Sequence, residues 1–288
     1  MRALSTLPPE LLLLIAEHAA ASEARRHLGS IASLSRVCKS LHRAVTPILY
    51  AHMVVTQHNL HLLAQLALES AYLFVSVCSA TFSGLLGTHR RDDKLQAITR
   101  AMTNLRAVTG RIYTLRIVLD ASDDLCPSSI FVTGLTESLS SGSPRFLRYL
   151  HTVTRLHIAV TLRHSHVGVP QEMKTEYLIL DVLNDGFEDD STWSLYTCDV
   201  LQRVEDIINS LPSLRRILIR TRTLITFDMT PFHIATEKWA KTKRDPRIWI
   251  DDSATAPWLG GTAFETMNLE DAAAGDELWL TGRQIYSQ

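Results

Sequence analysis

The sequence has few cysteines and none of the close spacings that hold small secreted domains together. Cys38, Cys78, Cys126 and Cys198 lie far apart and form no Cys-x-x-Cys pair. Disulfide-rich scaffolds place cysteines densely because they lack a large hydrophobic core, and redox and zinc motifs commonly need cysteines two residues apart. The spacing therefore argues against both classes and favours a reducing compartment. We expect the protein in the cytoplasm, in the nucleus or in both.

An excess of charge of one sign is also absent, since lysine and arginine total 29 residues and aspartate and glutamate total 30. A chain with this balance has no overall field that would attract a polyanion or an anionic membrane. A local basic group, Arg36, Lys39 and Arg43, has no interleaved aromatic residues of the kind that stack on nucleic-acid bases. We therefore expect no nucleic-acid partner.

Long hydrophobic runs are missing as well. Leu11 to Ala16 is a run of six apolar residues between Glu10 and Glu17, which is shorter than the roughly seven to fifteen residues of a signal-peptide core. Residues 71 to 87 carry no charge, but they include several serines and are fewer than the ~20 apolar residues that cross a bilayer. We therefore expect no membrane partner, and we predict a buried helix or strand pair at residues 71 to 87.

Motifs of the common enzyme classes do not occur. The sequence contains no Gly-x-Ser-x-Gly elbow, no phosphate-binding loop, no dinucleotide fingerprint and no His-Glu-x-x-His pair, each of which carries a defined chemical role. We therefore predict no catalytic residues and no cofactor. An unrecognised hydrolase is the alternative from another class, and it would need a nucleophile, a base and an oxyanion donor in one pocket.

Histidine pairs are the candidates for a metal site. His58 and His61 are spaced for one helix face, and His164 and His166 for one strand face. Zinc sites require three or four nitrogen, sulfur or carboxylate ligands, and neither pair has a neighbouring cysteine or carboxylate that completes the set. We therefore predict no metal.

Three segments between the periodic regions are predicted as loops: residues 138 to 144, 164 to 175 and 184 to 192. The segment 181 to 188 is not a calcium loop, because Val182 and Leu183 stand where alternating oxygen ligands are needed. Asp189 and Asp190 beside Trp193 favour a solvated acidic turn over a recognition loop.

Residues 8 to 20 predict a helix that is apolar nearly all round. Pro8 and Pro9 suit a first turn, whose amide hydrogens have no intrahelical partner, and Glu10 complements the positive end of the helix. One face carries Leu11, Leu14, Ile15 and His18, and the other faces carry Leu12, Leu13, Ala16 and Ala19. Such a helix must be covered on more than one side, so the pattern indicates a partner surface.

A second helix is predicted where apolar residues recur at intervals of three and four. They are Ile31, Leu34, Cys38, Leu41 and Val45, which would share one helix face. Ser30 is placed to cap the helix, and Pro47 predicts its end because the residue before proline is pushed out of the helical region. On this pattern Cys38 is a small buried hydrophobe rather than a reactive thiol.

From about residue 93 the pattern changes to helices that are each followed by a short strand. In the first unit Leu95, Ile98, Met102 and Leu105 share a helix face, Thr109–Gly110 ends it, and Tyr113 to Leu119 alternates like a strand. The first apolar residues of the predicted strands are Leu115, Leu156, Ile217, Ile248 and Leu278.

We expect the strands beginning at Leu115, Leu156, Ile217 and Ile248 to lie side by side in one sheet. Their spacing is irregular, whereas true solenoids keep a tight period. The sequence therefore predicts an α+β fold with irregular, leucine-rich-repeat-like units. The expected divisions are an N-terminal helical module at 1–50, a linking helical region at 51–92 and a repeat-like region at 93–288.

The N-terminal module resembles the F-box family. The residues that carry the resemblance are Leu7-Pro-Pro-Glu-Leu-Leu-Leu-Leu-Ile15, Leu34-Ser-Arg-Val-Cys-Lys-Ser-Leu41 and Pro47-Ile-Leu-Tyr50. The later Arg155-Leu-His-Ile and Leu211-Pro-Ser-Leu-Arg segments look like the divergent leucine-rich-repeat-like recruiting regions of many fungal F-box proteins. At Leu41, many members of the family have tryptophan or phenylalanine, and the connector 20–29 is longer than usual.

The resemblance implies that the module docks onto a Skp-type adaptor of a cullin-RING ubiquitin ligase, while the remainder captures an unknown protein substrate. The implied adaptor-binding residues are Leu7, Pro8, Leu11, Ile15, Leu34, Val37, Cys38 and Leu41. Two alternatives remain open. The chain is an F-box-derived scaffold outside a ligase, or the apolar residues of this set are the core of an independently folded helical bundle.

Overall fold

The computed structural model describes residues 8–23, 28–85, 92–135, 139, 143–162, 170, 173–184, 190–223, 229–251 and 275–286. In these ranges the α-helices are α1 (Pro9–Glu23), α2 (Leu28–Ser35), α3 (Lys39–Ala51), α4 (Leu60–Glu69), α5 (Asp93–Ala101), α6 (Ile112–Asp120), α7 (Pro144–Leu150), α8 (Asp190–Ser210) and α9 (Thr230–Lys243). The strands are β1 (His52–Thr56), β2 (Ser79–Ser83), β3 (Ala107–Gly110), β4 (Ser129–Leu135), β5 (Arg155–Thr161), β6 (Tyr177–Asn184), β7 (Arg216–Thr223), β8 (Ile248–Asp251) and β9 (Arg283–Gln284). Two 3-10 helices occupy Ala71–Ser76 and Gly275–Leu280.

All nine of these strands form one sheet, in which they lie in their order along the chain. β1 to β8 are parallel, and the short β9 is antiparallel to β8. Right-handed connections between successive parallel strands fall on one side of a sheet when the order never reverses. The helices are therefore expected to cover one face of the sheet and to leave the other face without helices.

Burial separates the two faces. Leu156, Leu178, Ile217 and Ile248 are aligned across β5 to β8, and all four are buried in the main hydrophobic core with residues of the helices. Side chains alternate between faces along a strand, so the next row, His157, Ile179, Leu218 and Trp249, points away from that core. We call the face that carries this second row the outer face.

Three of the four predicted neighbouring strands are confirmed, since Leu156, Ile217 and Ile248 lie in adjacent or near-adjacent strands of one sheet. The prediction for Leu115 is wrong, because residues 112–120 form α6. The short apolar run fits both periods: Leu115, Ile117 and Leu119 alternate, but buried Thr114 and Val118 complete a helical face. The strand that follows α5 is β3, at Ala107–Gly110, so it contains the residues Thr109–Gly110 that were predicted to end the helix, and it precedes α6.

Leu278 was also predicted to begin a strand, but it lies in the 3-10 helix Gly275–Leu280. The strand of this segment is β9, which starts five residues later. Gly282 makes the turn between them, with φ of 86°, and a Cβ there would lie 2.6 Å from the Leu218 Cδ1 atom. Only glycine combines this backbone conformation with such a close approach.

The predicted continuous helix from Ile31 to Val45 is two helices, because the chain turns at Arg36–Cys38 between α2 and α3. Pro47 does not end α3, which continues to Ala51. A proline inside a helix removes one hydrogen bond, to the carbonyl four residues earlier. That carbonyl belongs to Arg43, and both Arg43 and Pro47 are exposed, so water can satisfy it.

The region 51–92, expected as a helical linker, contributes two strands to the sheet. β1 pairs with β2, and β2 pairs with β3, so the sheet begins at residue 52. The described part of the segment 71–87 contains the 3-10 helix Ala71–Ser76 followed by β2, whose central residues are buried. The division of the chain at residues 50 and 92 stays a prediction.

The overall class agrees with the sequence. Helices α1 to α3 come first, and irregular helix–strand units follow, so the fold is α+β as predicted. Some of the units begin with clear capping signals. Asp92 accepts hydrogen bonds from the amides of Lys94 and Leu95 at the start of α5, and Ser143 does so for Phe146 in α7.

Candidate protein-interaction surfaces

The helical module α1 to α3 leaves a group of large apolar side chains exposed to water. Its buried core consists of Ala20, Ile31 and Val45. On α1, by contrast, Leu11, Leu14 and Ile15 are 45%, 60% and 56% exposed. Exposed apolar residues that lie close together often mark an interaction site. We call Leu11, Leu12, Leu14 and Ile15 the α1 apolar surface.

Val37 is exposed because of the turn between α2 and α3. The amide of Arg36 donates to the carbonyl of Ser33, and that of Val37 to the carbonyl of Leu34, which tightens the last turn of α2. Cys38 is then fully extended, with φ of −158° and ψ of 166°. This break leaves the side chain of Val37 68% exposed, and Cys38 is exposed rather than buried as the helical period predicted.

The implied adaptor-binding residues thus divide into three groups. Pro8, Leu11, Ile15, Val37 and Cys38 are exposed. Leu34 and Leu41 are half-buried, and Leu34 packs against the small core. Leu7 lies outside the described residues. The alternative in which this whole set forms the core of a bundle therefore does not hold for its exposed members, and adaptor contact by any member stays a prediction.

A buried ionic cluster lies on the outer face of the sheet, where β5, β6 and β7 adjoin. The guanidinium of Arg220 binds both carboxylate oxygens of Asp181, with Nε–Oδ1 and Nη2–Oδ2 distances of 2.6 and 2.8 Å. The Nε2 atom of His157 lies 2.8 Å from Asp181 Oδ2 and 3.0 Å from Arg220 Nη2. The ring of Phe131 stacks on His157 at 3.7 Å between centroids.

The charge state of this cluster follows from its geometry. Burial acts to raise the pKa of Asp181. The charges of Arg220 and His157 and the hydrogen bonds from both lower it by more than burial raises it, so the pKa lies well below its usual range. Asp181 is therefore ionised. Because Arg220 holds both carboxylate oxygens, the cluster is organised as a structural ion pair and lacks the free carboxylate that a general base requires.

A segment from the end of the described chain crosses the outer face. We call residues 275–286 the strap. Leu278 and Trp279 form a second buried apolar cluster with Ile179 and Leu218 of the sheet, and Tyr177 and Trp249 pack beside it. This cluster is separate from the main core.

Arginines of the sheet border the strap. The guanidinium of Arg155 lies 6.0 Å from the ring centroid of Trp279 and 5.9 Å from that of Tyr177. The guanidinium of Arg216 lies 3.8 Å from the ring centroid of Trp249 and donates a hydrogen bond to the carbonyl of Thr281. These distances are those of cation–π contacts. Arginine, tryptophan and tyrosine are also the residues that most often anchor protein interfaces.

The sequence did not predict the ionic cluster or the strap. Its one signal for the cluster is a charged residue inside each of two apolar strands, at Asp181 and Arg220. Of the histidine pairs, His58 and His61 are both exposed, and His164 and His166 lie outside the described residues. Within the described ranges no three histidine, cysteine, aspartate or glutamate side chains are grouped as a metal would require. No helix in those ranges is long and apolar enough to cross a membrane.

Comparison with known proteins identifies the N-terminal module. A family model described as F-box-like matches residues 4–56, the range that contains α1 to α3 and β1. Among solved structures, the leucine-rich repeat-containing protein LegL7 from Legionella pneumophila is similar at 10% identity and a TM-score of 0.33, over 80% of this chain and 94% of that one. No curated protein matches the chain. The match covers the N-terminal module alone, which is therefore an F-box-like domain and confirms the resemblance of residues 4–56 to that family.

Proposed function

We propose that the chain is a non-catalytic, substrate-recruiting subunit of a cullin-RING ubiquitin ligase of the SCF type. In this role the F-box-like domain docks onto a Skp-type adaptor, and the adaptor connects the chain to a cullin. The helix–strand units then hold a protein substrate of unknown identity. This assembly would work in the cytoplasm, in the nucleus or in both. The F-box-like match supports the docking step.

The observation that carries the proposal is the exposure of Ile15 and Val37 within the matched range. The module buries three residues fully in its own core, with four half-buried residues packed against them, and leaves Ile15 and Val37 exposed. Each square ångström of apolar surface that a partner covers contributes about 25 cal/mol. A partner that fits the α1 apolar surface therefore gains affinity from side chains that do little for the stability of the module.

Docking is tested by measuring the affinity of the purified full chain for a Skp-type adaptor by calorimetry. Ile15→Ala and Val37→Ala should each weaken binding by roughly 1 to 3 kcal/mol, which is about tenfold to a hundredfold. Leu68→Ala is the matched control, because Leu68 is as large, more exposed and located on α4, outside the matched range. A folded wild-type chain that fails to bind at micromolar adaptor concentrations contradicts the proposal.

A scaffold outside a ligase is the second candidate, and Leu41 favours it. Leu41 is smaller than the aromatic residue that many family members have there, and it is half-buried, so the surface has one large anchor fewer. Reconstitution separates the two candidates. A recruiting subunit should increase ubiquitin transfer to a captured protein when adaptor, cullin and RING subunits are present, whereas a scaffold should bind its partner without any increase.

A further inference from the structure

The strap covers a part of the outer face that is built like a binding site. Beneath Leu278 and Trp279 lie the apolar side chains of Ile179 and Leu218. Around this floor stand two aromatic residues, Tyr177 and Trp249, and two arginines, Arg155 and Arg216. An apolar centre with an aromatic and arginine border is the usual composition of a protein-interaction hot spot.

The two covering residues are not part of the main core. Among the residues that the structure describes, Leu278 and Trp279 belong to the separate outer-face cluster. Ile285, further along the strap, instead belongs to the main core. Ile285 and β9 thus anchor the strap beside the main core, whereas its Leu278–Trp279 part covers the outer face.

The polar contacts of the strap lie on its far side from Leu278. β9 pairs with β8 through Arg283 and Gln284, Gln284 donates to the carbonyl of Pro246, Arg283 pairs with Glu237 at 3.5 Å, and Arg216 donates to the carbonyl of Thr281. The neighbouring strap residues Glu277, Leu280 and Thr281 are exposed. Segments with few buried contacts open locally at a small fraction of the global free energy of unfolding.

We propose that the site beneath the strap captures a polypeptide segment of the same chemistry as the strap itself: an apolar residue followed by tryptophan, with acidic residues before them. The chain supplies this sequence as Asp276-Glu277-Leu278-Trp279. The acidic pair is opposite in sign to Arg155 and Arg216, and the bond from Arg216 to the Thr281 carbonyl adds recognition of the backbone. The strap is then an internal competitor that a substrate segment must displace. This inference deepens the substrate-recruiting function and rests on it.

A labelled peptide tests the inference. The probe is a fluorescein-labelled peptide with the sequence of residues 275–282, and its binding to the full chain is followed by fluorescence polarisation. Wild-type protein should bind it weakly, because the tethered strap competes at a high effective concentration. The double variant Leu278→Ala/Trp279→Ala empties the site but keeps β9 and Ile285. It should bind the peptide at least about tenfold more tightly than wild type does, because the site no longer has to open first.

Controls make the result specific. A control peptide that has alanine in place of the leucine and tryptophan corresponding to Leu278 and Trp279 should not bind the double variant. Leu280→Ala, which alters an exposed residue of the strap, should leave the weak wild-type binding unchanged. Arg155→Gln in the double-variant background should weaken peptide binding, since it removes a cation that borders the site.

Each outcome decides the question. If the folded double variant does not bind the peptide more tightly than wild type, the site is not a capture site. If the double variant does not fold, as judged by circular dichroism, the strap is part of the core and the inference is overturned as well. Adaptor affinity separates this failure from failure of the proposed function: a wild-type chain that does not bind the adaptor counts against the ligase role, and a double variant that binds the adaptor but not the peptide counts against the capture site alone.

Discussion

The F-box-like domain and the sheet layer treat their apolar side chains in opposite ways. In the domain, α1 leaves Leu11, Leu12, Leu14 and Ile15 exposed, and three fully buried residues form the core. In the sheet layer both faces of β6 are buried, one by the helices and the other by the strap. The difference teaches that one region keeps apolar surface open to water, whereas the other already carries its own cover.

Stability should therefore be concentrated in the sheet layer, and the largest effect is expected at its buried ion pair. Asp181→Asn leaves the guanidinium of Arg220 buried without a counter-charge, which typically costs about 3 to 5 kcal/mol. The free energy of unfolding from guanidinium denaturation measures this. Glu205→Gln, which breaks the half-exposed pair with Lys243 at 2.6 Å, is the control and should cost about 0 to 1 kcal/mol. Equal losses in both variants would contradict the interpretation of the cluster.

A pair of apolar truncations compares the two regions directly. Leu180→Ala removes a side chain buried in the main core and should cost about 2 to 5 kcal/mol. Ile15→Ala removes an exposed side chain and should change the free energy of unfolding by about 0.5 kcal/mol or less. Leu34→Ala should fall between them, because Leu34 is half-buried against the small core. If Ile15→Ala lowered the melting temperature as much as Leu180→Ala does, the α1 apolar surface would be core and not interface.

Acid should weaken the sheet layer through Asp181. Although burial acts to raise the pKa of Asp181, Arg220 and His157 hold it well below the usual value in the folded state, while the unfolded chain takes up the proton near pH 3.9. A depressed folded-state pKa stabilises above the unfolded value, and this stabilisation is lost as the pH falls from about 4 towards the folded pKa. The difference in stability between wild type and Asp181→Asn should therefore narrow below about pH 4. A difference that stays constant from pH 6 to pH 3 would show that Asp181 is not the titrating group.

The smallest effect is expected at a helix cap within the sheet layer. Asp92→Ala removes the side chain that accepts from the amides of Lys94 and Leu95, which should cost about 1 kcal/mol. Asp93→Ala removes the next carboxylate, which lies in the first turn of α5 and complements the helix dipole, so it should cost about 0.3 kcal/mol. Thermal melts of both variants test the ranking, and the reverse order would reject the cap.

The sequence predicted those elements whose pattern is local. The apolar-x-apolar strands at Leu156, Ile217 and Ile248 were identified because parallel strands buried on both sides read as short apolar runs. The helix containing Leu95 and Ile98 was identified from its 3.6-residue period. α6 was missed because the run from Tyr113 to Leu119 fits both the two-residue period of a strand and the 3.6-residue period of a helix. Packing against the sheet decides between the two.

The parts that were missed depend on contacts between distant residues. Asp181 and Arg220 are 39 residues apart, and only the alignment of β6 with β7 brings them together. The exposure of Val37 required a turn that the continuous helical period concealed. For the candidate surfaces, the sequence predicted the apolar character of α1. It did not predict that Trp279 covers the outer face of the sheet.

The unreversed strand order has a consequence for how the chain forms during synthesis. Each of β2 to β8 pairs with the strand made just before it, so the sheet can grow in the direction of translation without waiting for a distant segment. The strap is made after every strand that it covers. The outer face is consequently uncovered during the time between completion of β8 and arrival of Trp279, and a chaperone or an early partner would meet it open.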